Sequence, residues 1–177
     1  MKIRNATFKD IKALSDLASR TYSETFGHTM TSDELKKALI ETRSEKYFAS
    51  VIDKDSILIA EDNDRLVGYI QFGKININSI KATDQDRELK RIYLDKSYQG
   101  KGIGKKLMDA MFKTPEMRSA NKIYLDVWAE NEKAIGLYLK YGFKSIGKTD
   151  FIVDGQIVGK DIVMMLSNVV GRTEVRK

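Results

Sequence analysis

The chain has 177 residues, a length that suits one domain with a full-sized core. Hydrophobic residues make up 42% and charged residues 32%, the net charge is +6, and there is no cysteine, which excludes disulfides, thiolate metal sites and a cysteine nucleophile. The single histidine, His28, argues against a histidine-rich metal site and a serine–histidine hydrolase, and no apolar run approaches the ~20 residues that span a bilayer.

Residues 2–7 read as an opening strand, and Met-Lys-Ile-Arg-Asn-Ala-Thr has no apolar signal core behind it, so the expected compartment is the cytoplasm. Asp10 then precedes Ile11, Leu14, Leu17 and Ala18, an apolar stripe at helical spacing. Thr31-Ser32-Asp33 offers caps for a second helix, and Ser44 to Ile52 a further helical piece. Ser56–Ala60 and Leu66–Phe72 read as a hairpin around the turn residues Asp62-Asn63-Asp64. The polar stretch Lys74–Asp86 reads as a loop or a strand extension, and Glu88–Leu94 as the next strand. Ile103, Leu107 and Met111 recur at four-residue spacing, in a helix expected to end near Pro115, the only proline. Ile123, Leu125 and Val127 alternate with Tyr124, Asp126 and Trp128 in a strand. Asn131 can cap a last helix ending at Gly142. Phe143–Phe151 and Lys160–Leu166 close the domain around Asp154-Gly155, and the tail 169–177 lies outside the domain, 1–168. The expected fold is a single mixed α/β (α+β) domain of about seven strands, mostly antiparallel, flanked by helices. Its segment Glu88–Trp128 is a strand–helix–strand crossover that puts two strands parallel or nearly so.

The most informative segment lies in that crossover. Tyr98-Gln99-Gly100-Lys101-Gly102-Ile103-Gly104-Lys105-Lys106-Leu107 joins the strand to the helix. Its three glycines permit a tight turn, positive φ and close ligand approach. The helix that follows offers free N–H groups and the positive end of its dipole to an anion such as phosphate. Lys96, Lys101, Lys105 and Lys106 stand within or beside the turn. Yet a glycine cluster is often only a tight connection. A Walker loop would put its first glycine at Gln99 and Ser/Thr at Lys106, and the dinucleotide fingerprint fails at Lys105 or Leu107, so nucleotide hydrolysis and hydride transfer fit poorly. The basic residues form no long stripe, being interrupted at Glu61-Asp62-Asn63-Asp64 and Asp84-Gln85-Asp86; a phosphate ligand accounts for them better than a nucleic-acid partner does.

The turn matches Gln/Arg-x-x-Gly-x-Gly/Ala at Gln99 to Gly104, and Asn131-Glu-Lys-Ala134-Ile-Gly-Leu-Tyr138-Leu-Lys-Tyr-Gly142-Phe143 follows downstream. Together, at this spacing, they resemble the GCN5-related N-acetyltransferase (GNAT) family, over most of the chain, from the opening strand and helix through the closing strands. Glu88-Leu-Lys-Arg-Ile-Tyr-Leu94, the Gln99-Gly-Lys-Gly-Ile-Gly turn and Leu125-Asp-Val-Trp128 before Glu130-Asn131 look like its PaiA group of spermidine/spermine acetyltransferases.

The resemblance implies acetyl-CoA as acetyl donor and no metal. It implies a pyrophosphate on the main chain of Gln99, Gly100, Lys101, Gly102, Ile103, Gly104 and Lys105, and a pantetheine arm paired with Ile92, Tyr93 and Leu94 like an added strand. It further implies a sheet splayed between strands 88–94 and 123–128, with Asn131 hydrogen-bonded to the cofactor. Lys101, Lys105 or Lys140 would meet a 3′-phosphate or be surface lysines. An amine would attack the thioester directly, with the N–H of Tyr93 on the carbonyl oxygen and Tyr138 donating a proton to the sulfur; on its residues alone Tyr138 equally reads as core. An amine with a lysine-like pKa of ~10.4 is almost wholly protonated at pH 7, so a base is needed. Glu88 is the candidate, against the reading of a solvated strand-end charge; His28 is another, though it sits in a loop. Glu24, Glu41, Asp84 or Asp86 would attract a polyamine. The expected partner is a small amine, with the protein a monomer or homodimer and no membrane or nucleic acid involved. Acetylation of a protein N-terminus or lysine, and a non-catalytic acyl-CoA sensor, are the alternatives.

Overall fold

The structure, a computed structural model, describes residues 1–153 and 155–167. The expected tail from Val169, and Asp154 of the closing turn, lie outside the described residues.

Strand β1 (Lys2–Asn5) ends where Thr7 donates its N–H to Asp10 Oδ2 at 2.8 Å, opening a 3-10 turn, Phe8–Asp10. Helix α1 (Ile11–Phe26) buries the stripe Leu14, Leu17, Ala18 and Tyr22. Thr31 caps α2 (Ser32–Arg43) by accepting from Glu34 N, and Ser44 caps α3 (Glu45–Val51) by accepting from Tyr47 N. The hairpin β2 (Ser56–Asp62) and β3 (Arg65–Gly73) turns through Asn63 and Asp64, both at positive φ. The segment Lys74–Asp86 is loop, with no strand extension.

Strand β4 (Arg87–Leu94) leads through a 3-10 turn, Lys96–Tyr98, and the glycines into α4 (Ile103–Lys113). Pro115 ends α4 as expected but also opens a short helix, α5 (Pro115–Arg118), which sequence reading missed. Proline is tolerated at a helix's first position because its missing N–H would be unpaired there anyway. Strand β5 (Lys122–Trp128) and helix α6 (Glu132–Lys140) follow, with Gly142 at φ 85° just beyond the helix. Strands β6 (Lys144–Val153) and β7 (Gln156–Ser167) run longer than expected, joined beside Gly155 at φ 75°. Phe143 is buried core just before β6.

These strands form one seven-stranded sheet in the order β1-β2-β3-β4-β5-β7-β6. Only β4 and β5 are parallel, and they pair at just two positions, Arg87↔Ile123 and Glu88↔Tyr124. Beyond Glu88 the two strands part. On one face α4 and α6 bury Leu107, Met108, Met111 and Tyr138 against Ile70, Phe72, Ile123 and Leu125. On the other, α1 and α3 bury Leu14, Leu17 and Phe48 against Ile57, Ile59 and Tyr69. Tyr22, Phe26 and Ala38 form a smaller cluster toward Trp128 and Phe151. The core thus sits on both faces of a sheet whose middle is split.

Candidate active site

The split opens into a cleft of ≈ 1060 Å³ between α1, α2, β4, β5 and α6. Its floor is the edge of β4. Toward β3 that strand is fully paired, Tyr69↔Tyr93 and Ile70↔Ile92 among the partners, whereas Leu89 to Leu94 have no strand on the other side. Ile92, Tyr93 and Leu94 therefore line the cleft with main-chain groups open to an extended ligand. A β-bulge skips Lys90, because Gln71 pairs with Arg91 and Phe72 with Leu89. The bulge turns Glu88 and Arg91 to the same side, into the cleft.

At the mouth stands the glycine turn. Gly100 and Gly102 both hold φ 75°, and a Cβ at either would meet nothing within 4 Å. Glycine is required there for its backbone angle rather than for space. Gly102 caps α4 with no side chain closing that end, so the N–H groups of Ile103, Gly104 and Lys105 lack intrahelical acceptors. Asp95 anchors the turn: it accepts from Ser97 N and Oγ, and it pairs with Arg20 of α1 at 2.9 Å and Arg65 of β3 at 2.8 Å. Gln99 and Gly100 line the cleft, while Gln99 donates to the carbonyl of Leu94 at 3.4 Å. Lys101 lies over the Tyr98 ring, 5.0 Å from its centroid. Lys105 forms an exposed pair with Asp109 at 2.8 Å. The turn fits a phosphate-bearing group: unspent N–H donors, a helix N-terminus and open approach coincide.

Across the split, Asn131 lines the cleft and caps α6, its Oδ1 accepting from Ala134 N at 3.1 Å. Tyr138, from the same helix, is 6% exposed and packs against Phe143 with ring centroids 5.9 Å apart, yet it also lines the cleft. Core and site are thus one position. Burial first, then the proximity of Tyr93 and Asp126, pushes its phenol well above the usual range, so it holds its proton.

Glu88 sits at the fork of the split, 5% exposed, which excludes a solvated strand-end charge. Its Oε2 accepts from Asn76 N at 2.5 Å. Burial raises its carboxyl to about 7 against that hydrogen bond, with Asp126 adding to the rise. His28 is exposed, outside the cleft lining, and its ring meets Trp128 edge-on at 6.0 Å; it is no base here. Glu24 and Glu41 do line the cleft. Asp84 and Asp86 do not: Asp86 is buried and accepts from Thr83 N at 2.9 Å. The start of their loop, Asn76 and Ile77, lines the cleft, but its far end with Asp84 and Asp86 does not.

Sequence reading missed several charged residues of the cleft, among them Arg43, Arg91, Asp126 and Asp161. Asp126 and Asp161 lie diagonally on one face of the sheet, since Asp126 pairs with Val163 and Trp128 with Asp161. Burial and then Asp126 raise Asp161 to about 6, and burial raises Asp126 too. Alternation in β5 pointed to the face of Asp126; nothing local in β7 singled out Asp161.

Comparison with known proteins agrees with this geometry. Residues 11–143 match the acetyltransferase (GNAT) family. Over 92 residues the chain is 35% identical to the spermine/spermidine N(1)-acetyltransferase of Bacillus subtilis, a match spanning 49% of this chain and 57% of that one. It is 24% identical over 155 residues to an uncharacterized N-acetyltransferase of Lactobacillus delbrueckii, covering 86% of this chain and 90% of the relative. The fold matches the crystal structure of the PaiA N-acetyltransferase of Thermoplasma acidophilum in complex with coenzyme A, with a TM-score of 0.76 and 22% identity over 94% of this chain and 98% of that one. The aligned part spans little more than half of the Bacillus relative, whereas the family match covers the glycine turn, the split and α6. The chain belongs to the acetyltransferase (GNAT) family, a family of acetyl-transferring enzymes.

Proposed function

We propose that the protein transfers the acetyl group of acetyl-CoA to a small amine by direct attack. The carrying observation is the split itself: β4 keeps an open edge between an N–H-rich glycine turn and Tyr138, with a buried carboxyl at the fork. In this reading the main chain from Gln99 to Lys105 holds the pyrophosphate, and Ile92, Tyr93 and Leu94 hold the pantetheine arm. Acetyl-CoA supplies a thioester whose carbonyl carbon accepts the amine nitrogen as its C–S bond breaks.

The chain's own groups handle the protons. Glu88 takes one from the incoming ammonium, directly or through one water, which a carboxyl near 7 does well at neutral pH. The Tyr93 N–H polarises the carbonyl oxygen. Tyr138 holds the proton that the sulfur receives.

The acceptor is a small amine with more than one cationic nitrogen, the polyamines being the plainest case. Glu24, Glu41, Asp126 and Asp161 in the lining support this, as does the name of the Bacillus relative. No observation favours the protein-acetylating or sensor alternatives over it. The assay is thiol release from acetyl-CoA with spermidine, spermine, free amino acids and a lysine peptide. Turnover with the small amines is expected; tight coenzyme A binding without turnover on any amine would leave a sensor instead. We also place the protein in the cytoplasm; among the described residues no helix is long and apolar enough to cross a membrane.

A further inference from the structure

Arg43, the last residue of α2, lines the cleft and is only 5% exposed. Its Nη1 donates to the carbonyl of Thr42 at 2.9 Å and to that residue's Oγ1 at 2.7 Å. Its guanidinium lies 4.4 Å from the Tyr22 ring centroid and 5.6 Å from that of Tyr93. Its Nε is buried with no hydrogen-bond partner. No carboxylate pairs with it among the described residues; the groups bearing on its charge are the tyrosines 22, 69 and 93. The neighbouring Tyr69 hydroxyl is wholly buried and also without a partner.

A guanidinium taken out of water without a counter-ion is costly, and two ring faces offset only part of that cost. The arrangement is complete once an anion meets it. Such an anion must reach a pocket beside Tyr93, where the reacting amine also comes. Arg91 flanks the same cleft, stacked 4.6 Å from the Tyr47 ring centroid and donating to Gln71 Oε1 at 3.1 Å, again with no carboxylate partner. Asp126 and Asp161 also line the cleft; neither has a direct ion pair among the described residues, and Arg91 acts on Asp126 only at longer range. The lining thus holds the guanidiniums of Arg43 on α2 and Arg91 on β4 together with the carboxylates of Asp126 on β5 and Asp161 on β7, and Glu41 and Glu88 line it as well.

We propose that the acceptor is a dibasic amino acid, its carboxylate on the Arg43 guanidinium and its second ammonium toward Asp126 and Asp161. The inference rests on the amine-acceptor reading above and narrows it. A bare polyamine could meet the carboxylates of the lining but would leave the Arg43 guanidinium without an anion.

Matched acceptors test it. Lysine differs from 1,5-diaminopentane, and ornithine from 1,4-diaminobutane, only by a carboxylate. The wild-type enzyme should show kcat/KM at least ~10-fold higher for each amino acid than for its diamine, as expected for a desolvated charge pair. In Arg43→Gln that ratio should collapse to about one, and Arg43→Lys should restore part of it. A purely structural Arg43 would lower both acceptors together and leave the ratio unchanged, which would overturn the proposal. Wild-type enzyme preferring the diamines would overturn it too, and needs no variant to fold. Turnover with none of the four, alongside turnover with spermidine or spermine, would overturn this proposal alone; only failure of the whole amine panel would sink the amine-transfer reading.

Discussion

Glu88 links the site's chemistry to its pH dependence. Its carboxyl is held near 7 by burial, opposed by the Asn76 N–H and Lys90 and reinforced by Asp126 and Asp55. The base proposed here would act only when ionised, so kcat/KM should rise with pH and bend near 7 on the acid limb. Glu88→Gln should remove that bend and lower the rate by about 10²-fold. A wild-type profile with no inflection near neutrality would strip Glu88 of this role. The same shift has a stability sign. The folded pKa lies above the ordinary 4.5, so between 4.5 and about 7 the folded state holds more protons than the unfolded one. This group's contribution to stability must therefore fall as pH rises through that window, and the Gln variant should lose that slope in denaturant titrations. In the proposed reaction Tyr138 would act later, on a leaving thiolate of ordinary pKa ~8.5, and would help less. Tyr138→Phe should cut kcat by about tenfold while the Kd for coenzyme A stays within twofold. If neither quantity moves, the hydroxyl has no part in the chemistry and Tyr138 belongs to the core alone.

The glycine turn separates backbone need from ligand need. Gly102 holds φ 75° with open space around its Cβ position, so Gly102→Ala suffers only the left-handed backbone cost, about 1 kcal/mol. That corresponds to a Tm lower by ~2–4 °C. Gly104 has no positive φ, and its Cβ would touch Leu94 Cδ1 at an ordinary 3.5 Å. Gly104→Ala should keep Tm within ~1 °C and still weaken coenzyme A binding, because the methyl stands beside the donor N–H groups. Equal coenzyme affinity for wild type and the Gly104 variant, by calorimetry, would mean that the ligand does not approach this turn. The bulge at Lys90 is the other device at this scale, since without it Glu88 and Arg91 would face opposite sides of the sheet.

The whole molecule is a two-faced core that tolerates a split because helices bridge it. Leu107 is fully buried between α4 and the sheet, and Leu107→Ala should cost about 2–5 kcal/mol in chemical denaturation. Leu139, on the outer side of α6 and 54% exposed, should change stability by less than ~0.5 kcal/mol as Ala. A similar loss at both positions would contradict the packing described. At this scale the limits of sequence reading show most clearly. Leu14, Leu17, Ile123 and Leu125 announced their elements by local periodicity, and Thr31 and Asn131 announced helix starts by capping chemistry. Helix α5 escaped because Pro115 reads equally as a stop and as a start. Arg43 and Asp161 escaped because their meaning depends on neighbours far along the chain, Tyr93 for one and Asp126 for the other.

Alternation, caps and glycine spacing are short-range properties, and from them the amino-acid sequence by itself determined the order of the elements (α5 apart), the glycine turn and the family motifs. Only the tertiary structure decided that β4 and β5 part after Glu88, that Glu88 is buried in the cleft while Asp84 and Asp86 lie outside it, and that Arg43, with no carboxylate partner among the described residues, lines the same cleft as Asp126 and Asp161. Burial and electrostatic environment are sums over residues distant in sequence, and they acquire values only when packing brings those residues together.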